Sequence, residues 1–418
     1  MHDELAMDIS VIIPTHDRST PLRRTLDALG AQSYPLRRIE VVVVADGCTD
    51  GTADMLRHYT APYALRVIEQ PCQGAGGARN HGAAQATGRL LLFQDDDMEP
   101  VPSLIQAHVQ AHRRWPGSVI IGASPPVLPE GSSLFLLDLR RWWEDQFHEM
   151  GRPDHRYTYR DLLTGNLSIE AGLFARTGGF DISLPCREDY EFGMRLVKAG
   201  IRLAFAADAV SHHHETADLD RSFRRVRQEG CADVLIGRRY PELRYALPLA
   251  SLEMPGSRLS RVLRAYAFQR PGIGDGLAAT LRSTLNLLER THLRGRWRRL
   301  CSTLRDYWYW RGVADVLGSR RALAGFLQGG PVHVDDGAHE IEIDLHEGLE
   351  AAERRLDEER PACVRIRYGK QPIGRIPPTP GAERLRGAHL RPGLARQLAT
   401  PLLIALAMEA AQGERLWP

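Results

Sequence analysis

Four short runs constrain this chain more than anything else in it: Ser10 to Pro14 (SVIIP), Glu40 to Ala45 (EVVVVA), Arg89 to Gln94 (RLLLFQ) and Ser118 to Ala123 (SVIIGA). EVVVVA and RLLLFQ are apolar without alternation, the pattern of strands buried on both faces. Stretches of helical spacing separate the runs. Thr20-Pro21 reads as an N-cap with proline at the first helical position, and Leu22, Leu26 and Leu29 follow. Thr49 to Tyr59, Asn80 to Ala86 and Pro102 to Trp115 read as further helices, and Leu65 to Glu69 as another strand. Such alternation implies an α/β fold with a mostly parallel sheet and helices on both faces. Ligands then bind beyond the carboxyl ends of the strands.

The section from Pro125 to Thr164 reads as less regular, with prolines first and then an aromatic stretch around Trp142-Trp143. The pattern resumes with a strand at Leu167, a turn at Gly178-Gly179, a helix from Glu188 to Ala199 and a strand from Arg202 to Ala206. Residues 215 to 328 read as mostly helical, and Gly329-Gly330-Pro331 breaks that pattern. Glu340 to Leu345, Val364 to Tyr368 and Ile373 to Ile376 alternate like strands, with a hairpin turn at Gly369 to Pro372. Leu394 to Ala411 reads as a closing amphipathic helix. The 418 residues therefore divide into an α/β domain (1–235), an arginine-rich helical extension (236–330) and a small α+β module (331–418).

Apolar residues at 43% and charged residues at 25% exclude a disordered, collagen-like or integral-membrane chain. No stretch is expected to reach the roughly 20 apolar residues of a spanning helix; the longest candidate, Leu398 to Ala411, contains Pro401 and Glu409. Met1 to Asp8 is polar and acidic, so no secretory signal is expected there. Six scattered cysteines without a CxxC pair imply neither a zinc knuckle nor a disulfide framework, and a reducing cytosol is the expected compartment. All the basic residues but Lys198 and Lys370 are arginine. Between Arg258 and Gly325, 14 arginines face only four acids, interleaved with Trp297, Tyr307, Trp308, Tyr309 and Trp310. That section is either a peripheral patch for the inner face of the plasma membrane, a solvated arginine face or a contact with a partner chain. It carries no base-reading motif, and no nucleic-acid partner is expected.

Asp95-Asp96-Asp97 follows RLLLFQ directly, at a strand's carboxyl end. Adjacent carboxylates repel one another, and a divalent cation relieves that cost; oxygen ligands suit Mn²⁺ or Mg²⁺. A solvated acidic turn is the alternative. Asp46 follows EVVVVA and either accepts a hydrogen bond from a ligand or opens the turn Asp46-Gly47. Gln73 to Gly82 (QGAGGARNHG) lacks the Gly-Lys-Ser/Thr of a phosphate loop, and Arg79 stands where a dinucleotide fingerprint needs glycine. Its arginine still suits a diphosphate. Glu188-Asp189 opens a helix, as a general base or as a dipole complement. In an extended His212-His213-His214, His212 and His214 point the same way, which suits metal ligation or a surface run.

These pieces, in this order, resemble the family 2 glycosyltransferases of the GT-A fold. The resemblance runs through SVIIPTHDR (Ser10 to Arg18), ADGCTDGT (Ala45 to Thr52), GARN (Gly77 to Asn80), DDD, TGNLSIE (Thr164 to Glu170), GGFD (Gly178 to Asp181) and REDYEFGMRLVKAG (Arg187 to Gly200). It covers about residues 8 to 235. It implies that Pro14, Thr15, Arg18, Asp46, Arg79, Asp95 and Asp96 bind a nucleoside-diphosphate sugar, with Asp46 on the base and a UDP-sugar as the usual donor. Ala45 stands where many members carry a second aspartate. Asp95 and Asp97 match the DxD that holds a metal, with His212, and after it His214, completing the site. Asp189 matches the catalytic base, beside Glu188. The QxxRW of processive synthases is missing, so transfer of a single sugar to a glycan, lipid-linked or small-molecule acceptor is implied. Trp142, Trp143 and Asn166 are candidates for the acceptor region. A sugar nucleotidyltransferase and an inactive transferase-like scaffold are the rival classes; the former gives Glu188-Asp189 no role, and the intact aspartates oppose the latter.

Overall fold

A computed structural model describes residues 7–251, 256–328 and 339–411. The expected break at Gly329-Gly330-Pro331 lies outside them. Residues 9–214 form one mixed sheet. Its strands are β1 (Ile9–Thr15), β2 (Ile39–Asp46), β3 (Ala64–Gln70), β4 (Leu90–Gln94), β5 (Met98–Pro100), β6 (Val119–Ala123), β7 (Pro126–Val127), β8 (Asn166–Glu170) and β9 (Leu203–His214). The order is β3-β2-β1-β4-β8-β6-β9-β5, with β7 also on β9. The β3-β2-β1-β4 half is parallel, and β8 inserts antiparallel between β4 and β6.

The helices are α1 (Ser19–Gly30), α2 (Thr52–His58), α3 (Gly74–Gln85), α4 (Leu104–Arg114), α5 (Leu134–Met150), α6 (Ala171–Thr177) and α7 (Glu188–Lys198). Strand alternation feeds two cores. Ile9, Val11 and Ile13 join Leu22, Leu26, Ile105 and Val109 of α1 and α4 on one face. Ile12, Val42 and Val44 join Ala78, Phe174, Phe192 and Leu196 of α3, α6 and α7 on the other. Helices on both faces of a largely parallel sheet bear out the expected class.

Two helices depart from expectation. α3 starts at Gly74 rather than Asn80, because the Asp46 carboxylate accepts from the Gln73 and Gly74 N–H groups, each at 2.8 Å, and so caps the helix from another strand. Gly74 has φ +81°, a conformation that suits glycine. The stretch expected to be irregular contains the 17-residue α5. Its start is legible after the fact: Ser133 accepts from Leu136 N–H as an N-cap before the apolar Leu134-Phe135-Leu136-Leu137.

Beyond β9 come α8 (Leu219–Arg239), α9 (Arg258–Gln269), α10 (Pro271–Arg290), α11 (Arg294–Leu317) and α12 (Arg320–Phe326). α8 and α11 cross backbone to backbone: a Cβ on Gly312 would collide with the Arg227 carbonyl, and one on Gly230 with the Tyr309 carbonyl. Their core holds Phe223, Val226, Trp297, Tyr307 and Trp310, and it takes in Phe135 of α5.

The last unit pairs β10 (Glu340–Asp344), β11 (Cys363–Tyr368) and β12 (Gln371–Ile376) in one sheet, covered by α13 (Leu349–Glu359) and by the helical run α14 (Leu390–Gly393) and α15 (Ala399–Ala411). It docks on residues 155–159, where Glu383 accepts from Tyr157 N–H and Arg386 donates to the His155 carbonyl. The closing helix is not amphipathic. Leu403, Ile404 and Met408 are exposed, while Glu409 is buried against the Tyr368 hydroxyl. A further expectation is corrected: the helical run Gly387–Ala411 is, by length and composition alone, long and apolar enough to cross a membrane. The π-helical turn Leu394–Leu398 lets the run continue ahead of Pro401.

Candidate active site

The carboxyl ends of β1, β2 and β4 and the start of α7 open onto a cleft of about 1540 Å³. β1 and β4 are the neighbours at which the strand order reverses, where such sheets bind ligands. Pro14, Thr15 and Arg18 come from the end of β1 and the turn after it, Asp46 from β2, and Asp95, Asp96 and Asp97 from the turn after β4.

The three adjacent aspartates have three environments. Asp95 is partly exposed and accepts from Arg79 Nη2 at 2.7 Å. Asp96 is buried; it accepts from the Thr15 hydroxyl at 2.7 Å and lies 3.3 Å from Arg18 Nη1. Burial pushes its carboxyl up to about 7 against the pull of Arg18. Asp97 lies 3.0 Å from Arg18 Nη2 and 3.5 Å from His213 Nε2. Burial raises its carboxyl, but His213 and Arg18 outweigh that and leave it below the usual range.

Asp46 is buried with both carboxylate oxygens engaged. Gln70 Nε2 and Gln73 N–H donate to one and Gly74 N–H to the other. It lines the cleft while holding the start of α3. That helix carries Arg79, whose buried guanidinium bridges Asp95 and Glu188 Oε1, the latter at 3.0 Å. Burial disfavours its charge, but Asp95 and Glu188 more than compensate. Its Nε is buried with no partner.

Arg187 precedes α7 with φ +62°, a left-handed conformation rare for arginine. Its guanidinium is tied to Asp233 and Glu229 of α8, so the helical extension fixes the turn that presents Glu188 and Asp189. Asp189 accepts from Tyr190 N–H at 2.8 Å. Burial, then the neighbouring Glu188, raise its carboxyl to about 6. A half-buried carboxylate titrating near 6 on a cleft wall suits general-base work.

The histidine run is extended, as expected, but the ring that faces the cleft is His213 rather than His212 or His214. His213 lines the cleft beside Asp97, with its Nδ1 3.8 Å from Glu215. His214 pairs with Glu99 through Nε2, and neither His212 nor His214 lines the cleft. β9 pairs with β5 with His212 opposite Glu99, and that register sets which face each ring takes. Among the described residues, only Asp17, Cys48 and Asp50 form a trio of possible ligand atoms all within 4.8 Å of one another. Asp95, Asp97 and His213 are therefore not drawn together to that degree. Their donors, two carboxylates and one imidazole, nonetheless fit Mn²⁺ or Mg²⁺ in kind.

The acceptor candidates all line the cleft but differ in what they offer it. Trp142 is 45% exposed. Trp143 stacks on Phe147 at 5.7 Å and 17°, with a buried, unpartnered indole N–H. Asn166 is buried, and its amide is fully engaged: Nδ2 donates to the Ala123 and Ala209 carbonyls and Oδ1 meets His108 Nε2. Its side chain lies on the cleft lining with its amide taken up by β6, β9 and α4. The sequence reading missed the outer wall, where Arg221, Arg224 and Arg225 of α8 and Trp297 and Arg305 of α11 face the same cleft.

Residues 10–172 match the family model of Glycosyl transferase family 2. The chain is 28% identical over 207 residues to the glycosyltransferase AglE of Haloferax volcanii, covering 49% of this chain and 66% of that protein. It is 31% identical over 227 residues to a validoxylamine A glucosyltransferase of Streptomyces hygroscopicus subsp. jinggangensis, covering 48% of this chain and 54% of that protein. The matches thus span about half to two thirds of those relatives' lengths. Among solved structures, a mannosyltransferase of Pyrobaculum calidifontis in complex with GDP-Man and Mn²⁺ aligns with a TM-score of 0.46 at 20% identity, over 73% of this chain and 88% of that chain.

Proposed function

The chain carries a family 2 glycosyltransferase domain, and from that premise we propose that it moves one sugar from a nucleoside-diphosphate sugar, with UDP the first nucleotide to test, to an acceptor hydroxyl with inversion. The observation that carries the reading is the convergence of Asp95, Arg79 and Glu188, from separate parts of the sequence, into one hydrogen-bonded group on the cleft, with Asp189 next to Glu188 on the same wall. Asp189 takes the proton of the acceptor hydroxyl. The acceptor oxygen forms its bond to the anomeric carbon on the face opposite the diphosphate, whose bond to that carbon breaks through an oxocarbenium-like state. Arg79 lines the cleft beside Asp95, where its cation can meet charge on the departing diphosphate. In this reading Asp46, Pro14 and Thr15, which line the cleft, take the base end, and Arg18 is paired with Asp96 and Asp97.

A divalent cation, Mn²⁺ or Mg²⁺, belongs to this reading, held by Asp95 and Asp97 with His213. It would neutralise the two phosphates of the donor. Arg18 is paired with Asp97 in the structure, so cation binding at Asp97 competes with that ion pair.

The helical extension supports peripheral contact with an anionic membrane. Ile273, Leu277 and Leu287 of α10 and Leu259 and Val262 of α9 are exposed. All four acids of this section are engaged internally: Asp275 by Tyr307, Glu289 by Leu134 N–H, Asp306 by Arg264, and Asp315 by Arg227. That leaves the outward arginines unbalanced. Flotation with anionic liposomes and none with neutral ones is expected.

The transferase reading is tested by calorimetric titration of UDP and GDP, first with Mn²⁺ and then with EDTA. Metal-dependent binding of one nucleotide is the expected result. No binding of either to folded protein with metal present would remove the donor half of the proposal.

A further inference from the structure

The cleft changes sign along its length. Its inner half, at the strand ends, is dominated by carboxylates. Its outer half is built by α5, α8 and α11, outside the matched residues 10–172 apart from α5. There, five arginines (Arg221, Arg224, Arg225, Arg298 and Arg305) face two acids, Asp138 and Glu229. Both acids are already engaged. Asp138 holds Arg298 at 2.6 Å, and Glu229 lies 3.3 Å from Arg187 and 3.7 Å from Arg225.

Among the described residues, Arg221, Arg224 and Arg305 have no carboxylate partner. Arg305 is nevertheless positioned, because its Nη1 donates to the Ser222 hydroxyl at 2.7 Å across the α8–α11 crossing. That crossing is a backbone contact set by Gly230 and Gly312, so the two arginine-bearing helices are rigidly placed. Like-charged guanidinium groups on one concave wall repel one another, and a multivalent oxyanion relieves that repulsion. Several forked donors on one wall match a phosphoryl group, whose three terminal oxygens accept in several directions, better than a planar carboxylate. Trp142, 45% exposed on the same wall, offers an apolar face beside the arginines.

We infer that the outer half of the cleft is an acceptor subsite for a phosphoryl-bearing acceptor, held by Arg221, Arg224 and Arg305 while its hydroxyl reaches Asp189. This rests on the transferase reading for the word acceptor; the anion site itself does not. The phosphoryl group comes from either a lipid phosphate or a soluble phosphorylated compound, and the chemistry of the wall is the same for both.

The test is calorimetry on the full chain, saturated with UDP and Mn²⁺, using octyl phosphate, inorganic phosphate and octyl glucoside as probes. Octyl phosphate is expected to bind with UDP in place and to weaken with added salt. Octyl glucoside is expected not to bind. In Arg221→Gln/Arg305→Gln, octyl phosphate affinity is expected to fall about tenfold or more while UDP affinity changes by less than about twofold. Ser222→Ala, which removes only the group that holds Arg305, is expected to give a smaller loss. Inorganic phosphate binding as well as octyl phosphate supports a soluble acceptor; binding of octyl phosphate alone supports a lipid phosphate. The inference is overturned if octyl glucoside binds equally, if UDP expels octyl phosphate, or if the double variant binds like the wild type. If UDP fails to bind at all while octyl phosphate binds saturably, the donor reading fails and the anion site stands.

Discussion

The inner and outer halves of the cleft are built by opposite means. The inner half stands on the ends of parallel strands, and each of its aspartates is engaged by a cation or a backbone donor: Asp95 by Arg79, Asp96 and Asp97 by Arg18, Asp46 by Gln73 and Gly74 N–H. The outer half stands on packed helices, and three of its arginines have no carboxylate partner among the described residues. A strand end fixes a side chain by register, so its chemistry can be prebuilt and internally neutralised. A helix wall fixes only a face, and its excess charge is left for a ligand to complete. The link between the halves is Arg187, which joins the turn before Asp189 to Asp233 and Glu229 of α8.

The comparison breaks most sharply at Asp189. Asp189→Asn is expected to lower kcat by about 10²–10⁴-fold while leaving nucleotide affinity nearly unchanged. Loss of UDP binding in that variant would move Asp189 out of the base role and into the donor site. The pH profile sharpens the same point. With its carboxyl raised to about 6, Asp189 is the competent base only above that pH, so kcat/KM is expected to rise with pH through about 6.

The next effect is on the cation. His213→Ala is expected to weaken Mn²⁺ binding about tenfold or more, with His212→Ala and His214→Ala near wild type, measured by calorimetry in the presence of UDP. Equal effects at all three positions would remove the specific role of His213. Below that in size is Gly312→Ala, which drives a Cβ into the Arg227 carbonyl. Overpacking there is expected to cost about 1–3 kcal/mol, read as a lowered Tm. Because α8 also holds Arg187, kcat is expected to fall together with octyl phosphate affinity. A fall in anion binding with unchanged kcat would show that the halves are independent.

These contrasts also explain what the sequence could reveal. β1, β2 and β4 were legible as apolar runs, and Asp46, Asp95 and Asp189 were legible because each directly follows a strand or opens a helix. His213 was not, because alternation gives two faces and the choice between them rests on the pairing of β9 with β5, far away in sequence. The early start of α3 was hidden because its cap is the Asp46 carboxylate of another strand. The outer wall was hidden for a related reason. Arg221 and Arg305 share a cleft only through the α8–α11 crossing, and α5 was missed because its aromatic, charge-mixed stretch has no clean apolar stripe.

The smallest expected effect concerns the floor beneath both halves. Asn166 was a candidate for binding an acceptor, but its amide joins β6, β9 and α4. Its partner His108 also meets the Ser168 hydroxyl, which His112 Nε2 contacts at 2.8 Å. Burial holds His108 down at about 4 and His112 at about 3, below the ordinary 6.5. Both rings are therefore neutral in the folded chain, whereas an unfolded chain takes up protons as pH falls below about 6.5. The sign follows: their contribution to stability is complete above about 6.5 and is lost as pH drops toward 4 and then 3. The raised carboxyls of Asp96 and Asp189 act in the opposite sense as pH falls through about 7 and 6, so the histidine share is read as the difference between wild type and His108→Asn in denaturant midpoints from pH 7 to 4.5. In His108→Asn the loss on acidification is expected to be smaller than in wild type, although the variant starts from a lower stability because Asn166 and Ser168 lose a partner. An unchanged slope would place the acid-sensitive group elsewhere. Because His108 does not itself line the cleft, UDP and octyl phosphate affinities measured at pH 8 are expected to stay near wild type in that variant.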